Sequence, residues 1–209
     1  MIAAVVFDCD GTLVDSEPLA RRAWERSLAP HGYAIGDAEY AGLVGLPFAL
    51  VHSYFAERVA GLPEPGAFWR DYSGTLFGLI DAELVPFPDA LETVRELRTR
   101  GVQVAVASSS VRERLDRTLR RTGLEFAVTV AGDEVEHGKP APDMFFAAAA
   151  RLGVEPAHCA VVEDTAPGVA AGLAAGMRTV GVARDGDAAA LASAHVVVER
   201  LSAAAVLGS

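Results

Sequence analysis

Apolar residues recur along the chain in short blocks, each followed by a segment of helical period. IAAVVF (residues 2–7) is an unbroken apolar run that stops at Asp8, and VQVAVA (102–107), AVTVAG (127–132), CAVV (159–162) and RTVGVA (178–183) repeat the form. HVVV (195–198) reads as a short edge strand. Continuous apolar runs of this length suit strands buried on both faces, the habit of parallel sheets. Segments near 89–100, 111–122, 142–152, 166–175 and 187–193 are amphipathic or alanine-rich and predict helices. The alternation predicts an α/β fold: a Rossmann-like parallel sheet core with helices on both faces.

Residues 16–85 break that rhythm. They hold no convincing strand, yet Trp24, Phe48, Tyr54, Phe55, Phe68, Trp69, Tyr72 and Phe77 fall at roughly helical spacing. Ser16-Glu17-Pro18 predicts an N-cap followed by an early-turn proline, opening a helix towards Leu28. Pro86-Phe87-Pro88 returns the chain to the strand–helix pattern. The expected organisation is a core of residues 1–15 and 86–209, with a small α-helical domain, 16–85, inserted after the first strand.

Polar residues follow three of the apolar runs at once. The first ends in Asp8-Cys9-Asp10-Gly11-Thr12, the second in Ser108-Ser109-Ser110, and CAVV in Glu163-Asp164-Thr165. In a parallel sheet ligands bind beyond the carboxyl ends of strands, so these groups converge on one edge. Asp8 and Asp10, one residue apart, share a side of an extended chain, while Cys9 points the other way into the packing. Gly11 lets the backbone turn close to a ligand. Taken singly, each segment has a plain reading: an Asx turn for DCDG, a helix N-cap for the serines, acidic residues at a helix start for Glu163-Asp164. Together, clustered carboxylates with Asp164 nearby call for a hard divalent cation, Mg2+ above others. Histidine and cysteine clusters are missing from the strand ends, which disfavours zinc. The chemistry this suits is phosphoryl transfer, with an aspartate as nucleophile and a cation shielding anion from anion.

Composition sharpens the picture at a few points. Net charge of −10 disfavours a nucleic-acid or anionic-membrane surface. The two cysteines show no paired spacing, no apolar run reaches membrane-spanning length, and the opening run is short for a signal sequence. A cytoplasmic monomer acting on a small phosphorylated metabolite is therefore expected. Lys139, in EHGKPAPD (136–143), is the single lysine of the chain. The stretch from Gly132 to Lys139 imitates a phosphate-binding loop, but its glycine spacing is one residue too long and its acids would repel phosphate. No G-x-G-x-x-G follows the first strand, which argues against a dinucleotide. Arg112, Arg114, Arg117, Arg120 and Arg121 read as a solvated basic helix face.

VVFDCDGTLVDSE, Ser108, GKPAPD and VVEDTAPGVAAGLAAGM resemble, in order, the four motifs of the haloacid dehalogenase-like hydrolase superfamily, over nearly the whole chain. The insertion resembles the small helical cap of the subgroup containing phosphoglycolate phosphatases, sugar-phosphate phosphatases and β-phosphoglucomutase. The resemblance implies Asp8 as nucleophile, Asp10 as acid/base, and Lys139 as the bridge between nucleophile and phosphoryl oxygens. It implies Ser108, Ser109 and Thr12 in the phosphate pocket. Asp8, the Asp10 carbonyl and Asp164 would hold Mg2+, with Glu163 a further ligand or a supporting partner. It also implies a cap that opens and closes on linkers near Val14–Glu17 and Pro86–Pro88, with Gly45, Phe48 and His52 facing substrate. Asp10 argues against carbon–halogen chemistry, since true dehalogenases lack it. The related mutase has a histidine where this chain has Ala20, and an arginine shortly after the cap glycine, where this chain reads Gly45-Leu46-Pro47-Phe48. The expectation is a Mg2+-dependent phosphatase. A β-phosphoglucomutase-like enzyme, with His52 or Arg70 as substitutes, and a non-catalytic regulator of the same fold are the alternatives.

Overall fold

The computed structural model describes residues 1–184 and 188–208. They divide into two compact units, Met1–Asp15 with the chain from Val85 on, and Ser16–Leu84. No helix of the described residues is long and apolar enough to cross a membrane.

The Ser16–Leu84 unit is helical: α1 (Glu17–Leu28), α2 (Asp37–Ala41), α3 (Phe48–Ala56) and α4 (Pro65–Glu83). Its core is aromatic. The Trp24 ring lies 4.5 Å from Tyr72 and 5.5 Å from each of Phe48, Phe55 and Phe68, centroid to centroid. Such contacts add to the area that large rings remove from water. Leu28, Leu76 and Ile80 are fully buried beneath them.

The other unit is a six-stranded sheet among the described residues: β1 (Ala4–Phe7), β2 (Gln103–Ser108), β3 (Val128–Ala131), β4 (Cys159–Glu163), β5 (Arg178–Val182) and β6 (Val196–Val198). Every pairing is parallel and the order is β3-β2-β1-β4-β5-β6. Its α-helices among the described residues are α5 (Pro88–Thr99), α6 (Arg112–Thr122), α7 (Asp143–Leu152), α8 (Ala166–Ala174) and α9 (Ala203–Leu207). Ala4, Val6, Ala105, Ala107 and Val161 pack with Met144, Phe145 and Ala148 of α7 and Ala171 of α8. The alternate residues Val5, Phe7, Val106 and Val162 are equally buried, towards the opposite face, where α5 and α9 pack. Burial on both faces is why these strands carry no polar alternation. β1 lies between β2 and β4, where the strand order reverses, so its carboxyl end opens onto the crevice where doubly wound sheets bind ligands.

Two features depart from the sequence pattern. The helix expected over 187–193 is absent: Asp187 lies outside the described residues, and 188–193 form turns closed by bonds such as Leu191 N to Ala188 O (3.2 Å). Alanine propensity over so few residues does not meet the cost of nucleating a helix. Helix α9 was not foreseen; Ser202 caps it, its Oγ accepting from Ala205 N at 3.2 Å. The chain leaves and re-enters the sheet unit through adjacent segments. Asp15 N donates to Val85 O (3.1 Å), Phe87 N to Leu13 O (3.0 Å), and Val14 bridges Pro86. Arg184 pins this region. Its Nη1 reaches both Asp89 oxygens (2.8 and 2.7 Å), its Nη2 donates to Thr12 O (2.9 Å), and the guanidinium lies 4.0 Å from the Phe87 ring centre.

Candidate active site

The strand-end groups of β1, β2 and β4 meet with Lys139 beyond the carboxyl edge. After β1 the chain stays tied to β4 through Asp8 N to Val162 O (2.9 Å), then turns back through Gly11 N to Val14 O (2.9 Å). Gly11 sits at φ +80°, and a Cβ there would stand 2.0 Å from Asp164 Oδ2. Only glycine lets the β1 loop and the Asp164 carboxylate approach this closely. Cys9, between the aspartates, is buried; burial, then the charges of Asp10 and Asp8, push its thiol pKa well above the ordinary value.

Lys139 reaches in from the loop before α7. Its ammonium donates to Asp8 Oδ1, lies 2.5 Å from Glu163 Oε1 and 3.4 Å from Ala107 O. Glu163 is fully enclosed, and its other oxygen accepts from Thr165 N (3.0 Å) and Thr165 Oγ1 (2.8 Å). Both Glu163 oxygens thus lie against protein groups, Oε1 in an ion pair with Lys139 and Oε2 on Thr165. Gly168 shapes the pocket, because a Cβ there would come within 1.8 Å of Glu163 Oε1. Helix propensity alone makes Gly→Ala stabilising by about 1 kcal/mol. We expect Gly168→Ala to destabilise instead, by about 1–3 kcal/mol through overpacking, and to lower turnover by displacing Glu163 from Lys139. Denaturant unfolding with a parallel activity assay checks both; a more stable, fully active variant would contradict the arrangement.

Asp10 is held from β2 and α6. Ser110 Oγ donates to its Oδ2 at 2.7 Å and Arg114 Nη2 to its Oδ1 at 2.6 Å; Ser108 Oγ stands 3.4 Å from Oδ2. Ser108 is buried and also accepts from Ser110 N (3.1 Å). Ser109 is exposed, with its main chain against Gly132, where a Cβ would meet Ser109 O at 2.3 Å. The expected solvated arginine face is therefore only partly so. Arg114 turns inward to Asp10, and Arg112 binds Asp116 (3.0 Å), Glu134 (2.8 Å) and Thr129 (3.0 Å). Neither Ser110 nor Arg114 was among the expected site residues. The available signal was Ser110's place in the polar run after β2 and Arg114's in the first turn of α6, where side chains slope back towards the helix start.

Thr12, expected in the phosphate pocket, is fully buried and donates its hydroxyl to Asp164 Oδ1 (2.8 Å). Its hydroxyl orients the Asp164 carboxylate. In the helical unit, His52 is 4% exposed, with Nε2 2.9 Å from Pro63 O and its ring 5.3 Å from that of Phe68. Within that unit it packs as a core residue, its ring joining the aromatic cluster. Phe48 belongs to the same cluster at its half-buried margin, and Gly45 is exposed at φ +78°.

Electrostatics set the chemistry. Burial raises the Asp8 pKa well above the carboxylate range; Lys139 opposes the shift, and Glu163 and Asp164 add to it. Burial and the neighbouring Glu163 push Asp164 up to about 7. Burial works against the Lys139 ammonium, but Asp8 and Glu163 outweigh it and hold its pKa above the ordinary lysine value. Four carboxylates (Asp8, Asp10, Glu163, Asp164) thus share the charges of Lys139 and Arg114. Among the described residues no three His, Cys, Asp or Glu side chains form a ready-made metal cluster. The remaining anionic excess and the all-oxygen donor set nevertheless fit one hard divalent cation held by Asp8, Asp164 and a main-chain carbonyl.

The parallel α/β fold thus ends β1 in DCDGT and brings a lysine and a Glu-Asp pair to the same edge. A family model described as haloacid dehalogenase-like hydrolase matches residues 2–176, and the chain belongs to that family. It is 33% identical over 182 residues to fructose-1-phosphate phosphatase YqaB of Escherichia coli (strain K12), across 86% of this chain and 96% of that protein. It is 37% identical over 191 residues to the chloroplastic protein Suppressor of Quenching 1 of Arabidopsis thaliana, across 87% of this chain but only 18% of that protein's length. Among solved structures it resembles a putative β-phosphoglucomutase from Thermotoga maritima, with a TM-score of 0.80, 29% identity and 94% of both chains covered.

Proposed function

We propose that the protein is a Mg2+-dependent phosphatase that hydrolyses a small phosphorylated metabolite, a sugar or organic-acid phosphate, through an aspartyl-phosphate. The observation that carries this is the buried ammonium of Lys139 set against Asp8, a carboxylate at the strand end where a nucleophile is required. An Asp8 oxygen bonds to phosphorus as the ester P–O bond breaks, and the departing oxygen takes a proton from Asp10. Asp10, now a carboxylate, removes a proton from water, whose oxygen bonds to phosphorus as the Asp8–phosphorus bond breaks. Phosphate leaves and both aspartates return to their starting state. Lys139 shields anion from anion in both steps, and Ser108 with nearby main-chain N–H groups holds phosphoryl oxygens. Asp8, Asp164 and the Asp10 carbonyl would hold Mg2+, which when bound would supply further positive charge to the phosphoryl group. The Ser16–Leu84 unit serves as the cap that admits substrate and excludes water.

The likeness to a named mutase keeps a sugar phosphomutase as the second reading. The packing of His52 speaks against it, since that residue was one of two candidates to hold a second phosphate. A phosphate-release assay with Mg2+ over a few dozen phosphate monoesters tests the reading. Release without any bisphosphate activator is expected. Isomerisation that needs a bisphosphate would establish the mutase, and no turnover on any ester would leave a non-catalytic binder.

A further inference from the structure

Asp10 is asked to serve twice, first as acid and then as base, so the direction of its carboxylate matters in both steps. Both of its oxygens are fixed by groups outside its own loop. Oδ2 accepts from Ser110 Oγ at 2.7 Å, and Oδ1 from Arg114 Nη2 at 2.6 Å. This pair is not an ordinary surface bridge, because the Arg114 side chain is 18% exposed and that of Asp10 25%. Fully exposed pairs on flexible stems contribute little; here the guanidinium is set on the first turn of α6 and the carboxylate on a tight loop. Ser108 Oγ makes only the longer, weaker contact with Asp10, at 3.4 Å, which a phosphoryl oxygen can replace.

We propose that Arg114, together with Ser110, is a positioning residue that aims the Asp10 carboxylate at the leaving-group oxygen and then at the attacking water. The inference rests on the phosphatase reading and extends it by dividing the loop after β2 into two functions. Ser108 faces phosphate, whereas Ser110 and Arg114 face the acid/base. Lysine at 114 would keep the charge but lose the planar fork that fixes direction.

The test uses the full-length protein with Mg2+ and two aryl esters of similar shape, phenyl phosphate and p-nitrophenyl phosphate. The nitrophenolate departs readily without a proton; the phenolate needs one. For Arg114→Met we expect kcat/KM to fall about tenfold on phenyl phosphate, a modest share of what a general acid contributes. On p-nitrophenyl phosphate the expected fall is less than about threefold, since that ester makes little use of the acid. Retained turnover of the nitro ester also reports that the variant is folded. Ser110→Ala should show the same discrimination, and Arg114→Lys an intermediate one. Equal losses on both esters, or none, in Arg114→Met and Ser110→Ala would overturn the assignment. Asp8→Asn in the same assay separates the two readings. If turnover survives that change, the covalent mechanism falls and the Arg114 role falls with it. If turnover requires Asp8 while discrimination between the esters matches wild type, the Arg114 role falls alone.

Discussion

Asp8→Asn is expected to remove turnover of every phosphate ester the protein accepts, by a factor on the order of 10⁴ or more, as loss of an enzyme's nucleophile does. The amide has the shape of the carboxylate but a poor nucleophilic oxygen, so no acyl phosphate forms. The change should not unfold the chain. Lys139 keeps its partner Glu163 at 2.5 Å, and Asp8 itself is a carboxylate that burial makes costly to ionise. A raised carboxylate pKa in the folded state means that stability is lost as pH rises through that value. A neutral amide is free of that loss, so in Mg2+-free buffer at neutral pH the variant should melt no lower than wild type. Rapid acid quench after mixing with ester should trap phosphate on wild-type protein and none on the variant. Substantial activity in Asp8→Asn would eliminate the covalent route.

Lys139 carries the second large effect. Lys139→Ala should lower kcat on the order of 10²–10³-fold, as for loss of one preorganised donor at developing charge. Stability should fall as well, because Glu163 is fully enclosed and would keep its charge without a partner; breaking a buried pair from one side costs about 3–5 kcal/mol. The two effects can be separated. Glu163→Gln combined with Lys139→Ala removes one of the two stranded charges, so unfolding free energy should recover in part while activity stays lost. Lys139→Arg should also be impaired, since a planar fork does not occupy the place of a compact ammonium between two carboxylates. Wild-type rates in Lys139→Arg would reduce this residue to a structural cation.

The strands were legible because burial on both faces leaves a continuous apolar run, and each run stops where a polar group meets the crevice. Asp8, Asp10, Ser108 and Asp164 could be picked out for that reason, and Lys139 by its rarity. What sequence spacing does not carry is the direction of side chains on an amphipathic helix. Arg112, Arg114 and Arg117 look alike in the sequence; only the packing of α6 beside β3 and the Ser108–Ser110 loop turns Arg114 onto Asp10. Glu163 had two readings, and its contacts with Lys139 and Thr165, which favour the supporting one, are not visible in spacing. A glycine in the first turn of a helix weakens that helix, and Gly168 is explained by the carboxylate lying against it. The partners that Thr12 and His52 meet in the structure, Asp164 and Phe68, are distant in sequence, so neither contact could be read from spacing.

The paired exit and re-entry at Asp15 and Val85 has a consequence for how such a chain can change over time. Because the two ends are clasped by the sheet unit itself, everything from Ser16 to Leu84 is, to the sheet, a loop with a fixed mouth. Closing a loop depends weakly on its length, about 0.6 kcal/mol for each doubling. Insertions, deletions or wholesale replacement inside that mouth therefore leave the strand-end carboxylates almost untouched. Mutation can explore new helical units while the chemistry at Asp8 is inherited intact.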